Sequence, residues 1–125
     1  MPLESIRQLV ARELQQTDAL IEASLATDVP LAAEIAGHIV QSGGKRVRPM
    51  IVLLMAKALN CDTDKAVKLA AIVELLHTAT LLHDDVVDES GMRRGRPTAN
   101  ANWGNEASVL VGDLLYAKAF QLIAD

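Results

Sequence analysis

An all-α bundle is the fold class this sequence predicts, on three observations. Apolar residues recur at helical spacing along most of the 125 residues, beginning with Leu3, Ile6, Leu9, Val10 and Leu14. No run alternates apolar and polar residues with the period of a strand. Half of the residues are apolar but only Trp103, Tyr116 and Phe120 are aromatic, so the core must be built from Leu, Ile, Val, Ala and Met.

The elements follow in order, five or six helices in all. The first spans about Pro2 to Ala26. Asp28-Val29-Pro30 opens a shorter second helix with proline in its first turn, and Ser42-Gly43-Gly44 closes it at a corner where backbone can approach a ligand. Arg48-Pro49 introduces a third helix, Met50 to Leu59, apolar on nearly every side and closed by Asn60. Asp62-Thr63-Asp64 offers N-cap candidates for the longest helix, Lys65 to about Asp88. Between Leu69 and Leu82 its only charge is Glu74, so most of its circumference should be buried. Glu89 to Pro97 reads as a polar loop, and Asn105 as the cap of a last helix reaching Ile123. Leu110, Val111, Leu114, Leu115, Phe120, Leu122 and Ile123 form its apolar face, which stops uncapped at Asp125. Residues 1–125 are therefore read as the amino-terminal helices of one larger domain, with a complete small bundle as the alternative.

A net charge of −4 gives no reason to expect a nucleic-acid partner. Cys61 is the single cysteine, which excludes an intrachain disulfide and fits a reducing compartment. The first thirty residues lack a central apolar run, so no signal peptide is expected. No uninterrupted apolar run approaches the ~18 to 20 residues of a membrane span. The expectation is a cytoplasmic protein without a transmembrane segment. Basic residues cluster locally in Lys45-Arg46-Val47-Arg48 and Arg93-Arg94-Gly95-Arg96, which suits a small anionic ligand.

Chemistry concentrates in Asp84-Asp85-Val86-Val87-Asp88. Residues four apart lie about 40° apart on a helix face, one turn along the axis, so Asp84 and Asp88 can converge on a hard cation. Mg²⁺ typically takes one or two carboxylates, with water and phosphate oxygens completing its shell. These acids also sit at a helix C-terminus, where the macrodipole disfavours negative charge. A solvated helix end would carry acids too, so the motif alone leaves both readings open. Arg93 and Arg94 follow on the adjoining loop and present forks suited to phosphate. Lys45, Arg46 and Arg48 stand beside the glycine corner at a helix N-terminus, an anion site by charge and dipole. His77 lies seven residues before Asp84, on nearly the same stripe, and could bind phosphate or be a core histidine. His83 and His38 read as structural. Metal-binding acids, two basic sites and an apolar helix between them imply a substrate with diphosphate at one end and hydrocarbon at the other.

Three ordered motifs carry a resemblance. Gly43-Gly44-Lys45-Arg46-Val47-Arg48-Pro49, the run from Glu74 through His77 and Asp84 to Asp88, and Met92-Arg93-Arg94-Gly95 resemble the trans-isoprenyl diphosphate synthases. Ser108-Val109-Leu110-Val111-Gly112-Asp113 is similar as well, so the likeness covers essentially the whole chain, and it is strongest to bacterial long-chain members that make quinone side chains. The resemblance implies an antiparallel bundle of the isoprenoid synthase type. It implies that Asp84 and Asp88 hold Mg²⁺ on an allylic diphosphate, supported by Asp85, with Arg93 on the same diphosphate. Lys45, Arg48, His77 and Arg94 would hold isopentenyl diphosphate, the nucleophile. Thr80, one turn below Asp84, and Ala79 occupy positions where bulky residues limit product length in short-chain members, and both are small; for Ala79 this rests on the resemblance alone. Homodimers and a second aspartate-rich motif on a later helix also belong to the family pattern, and that motif is absent from these 125 residues. The competing functions are a class I terpene cyclase, a non-catalytic partner subunit of a heteromeric synthase, and a diphosphate-binding module without turnover.

Overall fold

The computed structural model describes residues 3–26, 29–41 and 46–125. The expected start at Pro2, the Asp28 position, the Ser42-Gly43-Gly44 corner and Lys45 lie outside them. Among the described residues the chain is all-α apart from one two-residue hairpin.

The first expected helix is two. α1 (Leu3–Gln8) and α2 (Ala11–Ser24) are separated by a tight turn in which Leu9 and Val10 donate to the carbonyls of Ile6 and Arg7. Burial explains the break: Val10 is swung fully inside, against Leu14, Met50, Leu53 and Val67, while Leu9 stays exposed. The carbonyl of Leu9 then accepts from Lys57 Nζ at 2.8 Å, so the break leaves no orphan there.

α3 (Pro30–Gln41) begins on proline as expected. α4 (Val47–Ala58) begins earlier than Met50, because Pro49 falls in the first turn, where a missing N–H costs nothing. Asn60 ends it in the left-handed region (φ 60°), and Cys61 N–H returns to the Ala56 carbonyl at 2.8 Å. The face of α4 carrying Ile51, Met55 and Leu59 is exposed.

α5 (Thr63–Val87) is capped by Asp62, whose carboxylate accepts from Asp64 N–H at 2.8 Å. It packs against α2, α4 and α7 (Asn105–Ala124) and joins both hydrophobic clusters of the core. Among the described residues α5 and α7 are long and apolar enough to cross a membrane by length and composition alone, a test that a core helix also passes; half of the apolar stretch of α5 is buried inside this chain.

The expected loop after α5 is ordered by β1 (Met92–Arg93) and β2 (Arg96–Pro97), paired Met92 to Pro97 and Arg93 to Arg96. Arg94 (φ 53°) and Gly95 (φ 76°) make the turn, both at positive φ as a two-residue hairpin with right-handed twist requires. Strands of two residues are too short to show a period. Thr98, buried, caps α6 (Ala99–Trp103), a helix not anticipated. Thr98 Oγ1 and Asn100 Nδ2 both donate to the Ser90 carbonyl, at 2.8 and 3.0 Å, and close the loop on itself. Gly104, at φ 92° and ψ 161°, both ends α6 and caps α7; Asn105, expected as the cap, is the first helical residue instead.

Candidate active site

The last turn of α5 divides the three acids. Asp84 and Asp88 are exposed, whereas Asp85 is only 2% exposed. One residue is a 100° step around a helix, so the outer two share the open face while the middle one turns inward. There Asp85 meets Arg93 through two bonds, Nη2 to Oδ1 at 2.6 Å and Nε to Oδ2 at 3.1 Å. This two-point ion pair ties the hairpin to the helix end. The hydrogen bond to Asp85 raises the Arg93 pKa; burial opposes it, and the charges of Asp85, Asp84 and Asp88 add to it.

The helix ends in a loop-back that the acids depend on. Glu89 takes the left-handed conformation (φ 56°), its N–H bonds the Val86 carbonyl at 3.2 Å, and Ser90 N–H reaches the Asp85 carbonyl at 2.9 Å. That is a Schellman end built on glutamate where glycine is usual. Among the described residues neither Asp84 nor Asp88 is in an ion pair. No group of three or more His, Cys, Asp or Glu able to hold a metal occurs among them either. Two exposed carboxylates one turn apart at the negative end of a helix, outside any ion pair among the described residues, still fit Mg²⁺, which leaves most of its shell to water and phosphate.

His77, half-buried one turn below Thr80, has its pKa lowered, first by burial and then by the charge of Arg48; Glu74 opposes, and Arg93 and Arg94 add. Three guanidiniums from two segments therefore converge electrostatically on one imidazole. Arg48 and Arg94 are both exposed. Lys45, the remaining expected cation, lies outside the described residues. Thr80 is half-buried on the stripe, its hydroxyl donating to the His77 carbonyl at 2.6 Å. Ala79 does not join the stripe: it is fully buried in the main core cluster, since it faces the opposite side of α5.

His83 and His38 are structural, as read. His83 Nε2 lies 3.1 Å from the Val109 carbonyl and 3.4 Å from Asp113 Oδ1, with its ring against Gly112. His38 Nε2 donates to the Pro97 carbonyl at 3.1 Å and meets Trp103 edge-on. Arg46 departs from the anion site expected of its cluster. Its guanidinium is bound to Asp18, Glu74 and the Val40 carbonyl, all within the protein. Glu74 carried the signal: a lone acid in an apolar helix needs a buried partner.

The chain resembles known proteins over essentially its whole length. Residues 29–125 match the family model described as polyprenyl synthetase. Octaprenyl diphosphate synthase of Haemophilus influenzae is 52% identical over 99% of the chain, which spans 38% of that protein. The crystal structure of a decaprenyl diphosphate synthase from Rhodobacter capsulatus superposes with a TM-score of 0.95 at 48% identity, over 99% of this chain and 38% of that one. A polyprenyl synthase from Caulobacter crescentus, crystallised with calcium and isoprenyl diphosphate, gives a TM-score of 0.94 at 42% identity, over 98% of this chain and 38% of that one. The chain thus spans a little over a third of the length of these relatives, shares their all-α isoprenoid synthase fold over that span, and belongs to the polyprenyl synthetase family.

Proposed function

We propose that the protein carrying this chain is a Mg²⁺-dependent trans-polyprenyl diphosphate synthase, which condenses isopentenyl diphosphate with an allylic diphosphate. The observation that carries the reading is the pairing of two unlike poles. Asp84 and Asp88 stand exposed near Arg93, whose charge they act on, and His77 lies within the fields of Arg48, Arg93 and Arg94. The first pole suits a metal-bound allylic diphosphate, and the second suits isopentenyl diphosphate held by Lys45, Arg48, His77 and Arg94. Mg²⁺, held by Asp84 and Asp88, would supply positive charge opposite the leaving diphosphate.

Arg93 adds a fixed positive charge to that diphosphate, and Asp85 orients Arg93. As the allylic carbon–oxygen bond breaks, the double bond of isopentenyl diphosphate attacks the allylic cation. Loss of a proton then restores an alkene, five carbons longer. The apolar wall of α5 below the acids keeps water from the cation. Small Thr80 on that wall leaves room for a long tail, and similarity to an octaprenyl diphosphate synthase supports C40, for a quinone side chain; Ala79 affects length only through packing. We further propose a cytoplasmic homodimer without transmembrane segments, α5 and α7 serving as core and interface helices.

The test uses the protein at its natural length with Mg²⁺, radiolabelled isopentenyl diphosphate and farnesyl diphosphate. Labelled polyprenyl diphosphate, converging on C40, is the expected product. Cyclised hydrocarbon would replace this reading with a terpene cyclase, and absence of turnover with a non-catalytic partner subunit.

A further inference from the structure

One guanidinium closes the joint between four helices. Arg46 stands at the N-cap of α4 at φ 57°, a conformation that side chains other than glycine rarely adopt. Its Nε lies 3.2 Å from Asp18 Oδ1 on α2, and its Nη1 lies 3.0 Å from Glu74 Oε1 on α5. Nη2 donates to the Val40 carbonyl on α3 at 3.2 Å. The Arg46 side chain is 14% exposed and that of Glu74 10%. Each of the three guanidinium nitrogens bonds protein, so Arg46 is engaged within the fold.

Arg48 follows two residues later on α4, and His77 follows Glu74 by one turn on α5. We propose that the Arg46–Glu74 ion pair, completed by Asp18, is the positioning device of the isopentenyl diphosphate subsite, setting the spacing between Arg48 and His77. The inference rests on the function proposed above. Replacing a buried ion pair by apolar residues of the same volume is often neutral or stabilising, so stability alone does not account for a pair at this place. A guanidinium fork does something an apolar pair cannot: it fixes both distance and angle between two backbones. The left-handed start of α4 shows that the backbone there is held against its own preference.

A purely structural pair would weaken both substrates alike, which separates the two roles. In the protein at natural length, Arg46→Lys and Glu74→Gln should raise KM for isopentenyl diphosphate about tenfold, leaving KM for farnesyl diphosphate within about twofold. Asp18→Asn removes only the half-exposed partner and should fold normally, with a shift of about threefold in the same direction. Equal shifts for both substrates overturn the proposal, as does an unshifted Asp18→Asn when the other two variants fail to fold. Should the unaltered protein not elongate at all, the function proposed above fails by itself. Calorimetric titration with isopentenyl diphosphate then decides the inference: about tenfold weaker binding by Arg46→Lys upholds it, and absent or equal binding overturns it.

Discussion

At the carboxyl end of α5 the last carbonyls already concentrate negative charge, and Asp84 and Asp88 add two more charges without an ion-pair partner among the described residues. Folding and function therefore pull these positions in opposite directions. Asp84→Asn should raise unfolding stability by ~0.3–1 kcal/mol. The same change should lower elongation about a hundredfold and weaken the response to Mg²⁺. Thermal melting and a Mg²⁺ titration of activity check both halves; a variant that loses both stability and activity would make Asp84 structural. His77 gives a second opposed pair. Burial, and then Arg48, hold its pKa below the ordinary 6.5, against Glu74. A depressed basic group binds its proton first in the unfolded chain, so stability falls as pH drops below 6.5 and levels off beneath the folded-state pKa. His77→Gln should accordingly lose less Tm than the unaltered protein between about pH 7 and about pH 5. Spacing alone put Asp84, Asp88 and His77 on one stripe, because a helical period brings residues four and seven apart to the same face, while their roles rested on the family resemblance. The inward turn of Asp85 and the engagement of Arg46 within the fold were not legible from spacing, since both depend on partners 8 and 28 residues away in sequence.

Between α5 and α7 one glycine sets the approach of two helices. A Cβ added at Gly112 would overlap His83 Nε2 and lie 2.6 Å from its Cδ2. The ring has little room to retreat, being bonded to the Val109 carbonyl and packed beside Tyr116. Gly112→Ala should therefore destabilise the fold by about 1–3 kcal/mol through overpacking. Adding His83→Ala should recover part of that loss, and a double-mutant cycle measured by denaturant unfolding reads the coupling. Simple additivity would mean that α7 shifts as a whole instead. The existence of these long helices followed from periodicity, whereas their ends followed from local chemistry that periodicity does not carry. α5 stops on Glu89 in a glycine's conformation, and α4 starts on Arg46 in another. The break at Leu9–Val10 was hidden because both residues fit the apolar stripe, and only burial of Val10 against α4 and α5 decides it. The hairpin at Arg93–Arg96 was hidden by its length.

Across the whole molecule, the described residues leave two apolar surfaces uncovered. One is a groove of about 510 Å³ between α4 and the start of α5, lined by Ile51, Met55, Leu59 and Leu69. The other lies on α7, where Leu110, Phe120 and Ile123 are each more than half exposed. An apolar groove of this size suits contact with further protein or with a hydrocarbon ligand. The chain also spans 38% of the length of the octaprenyl diphosphate synthase it resembles. Both facts bear on one measurement, made on the 125 residues by themselves and on the protein at natural length. The short chain should self-associate as concentration rises and bind an apolar dye several-fold more strongly than the longer protein. It should also incorporate no isopentenyl diphosphate, because the described residues leave Asp84, Asp88 and part of His77 open to water. Sedimentation, dye fluorescence and labelled-substrate incorporation report the three outcomes separately. A monomeric, dye-silent chain that still elongates would show that these helices hold a complete centre; an associating chain without turnover is the result their exposed faces lead us to expect.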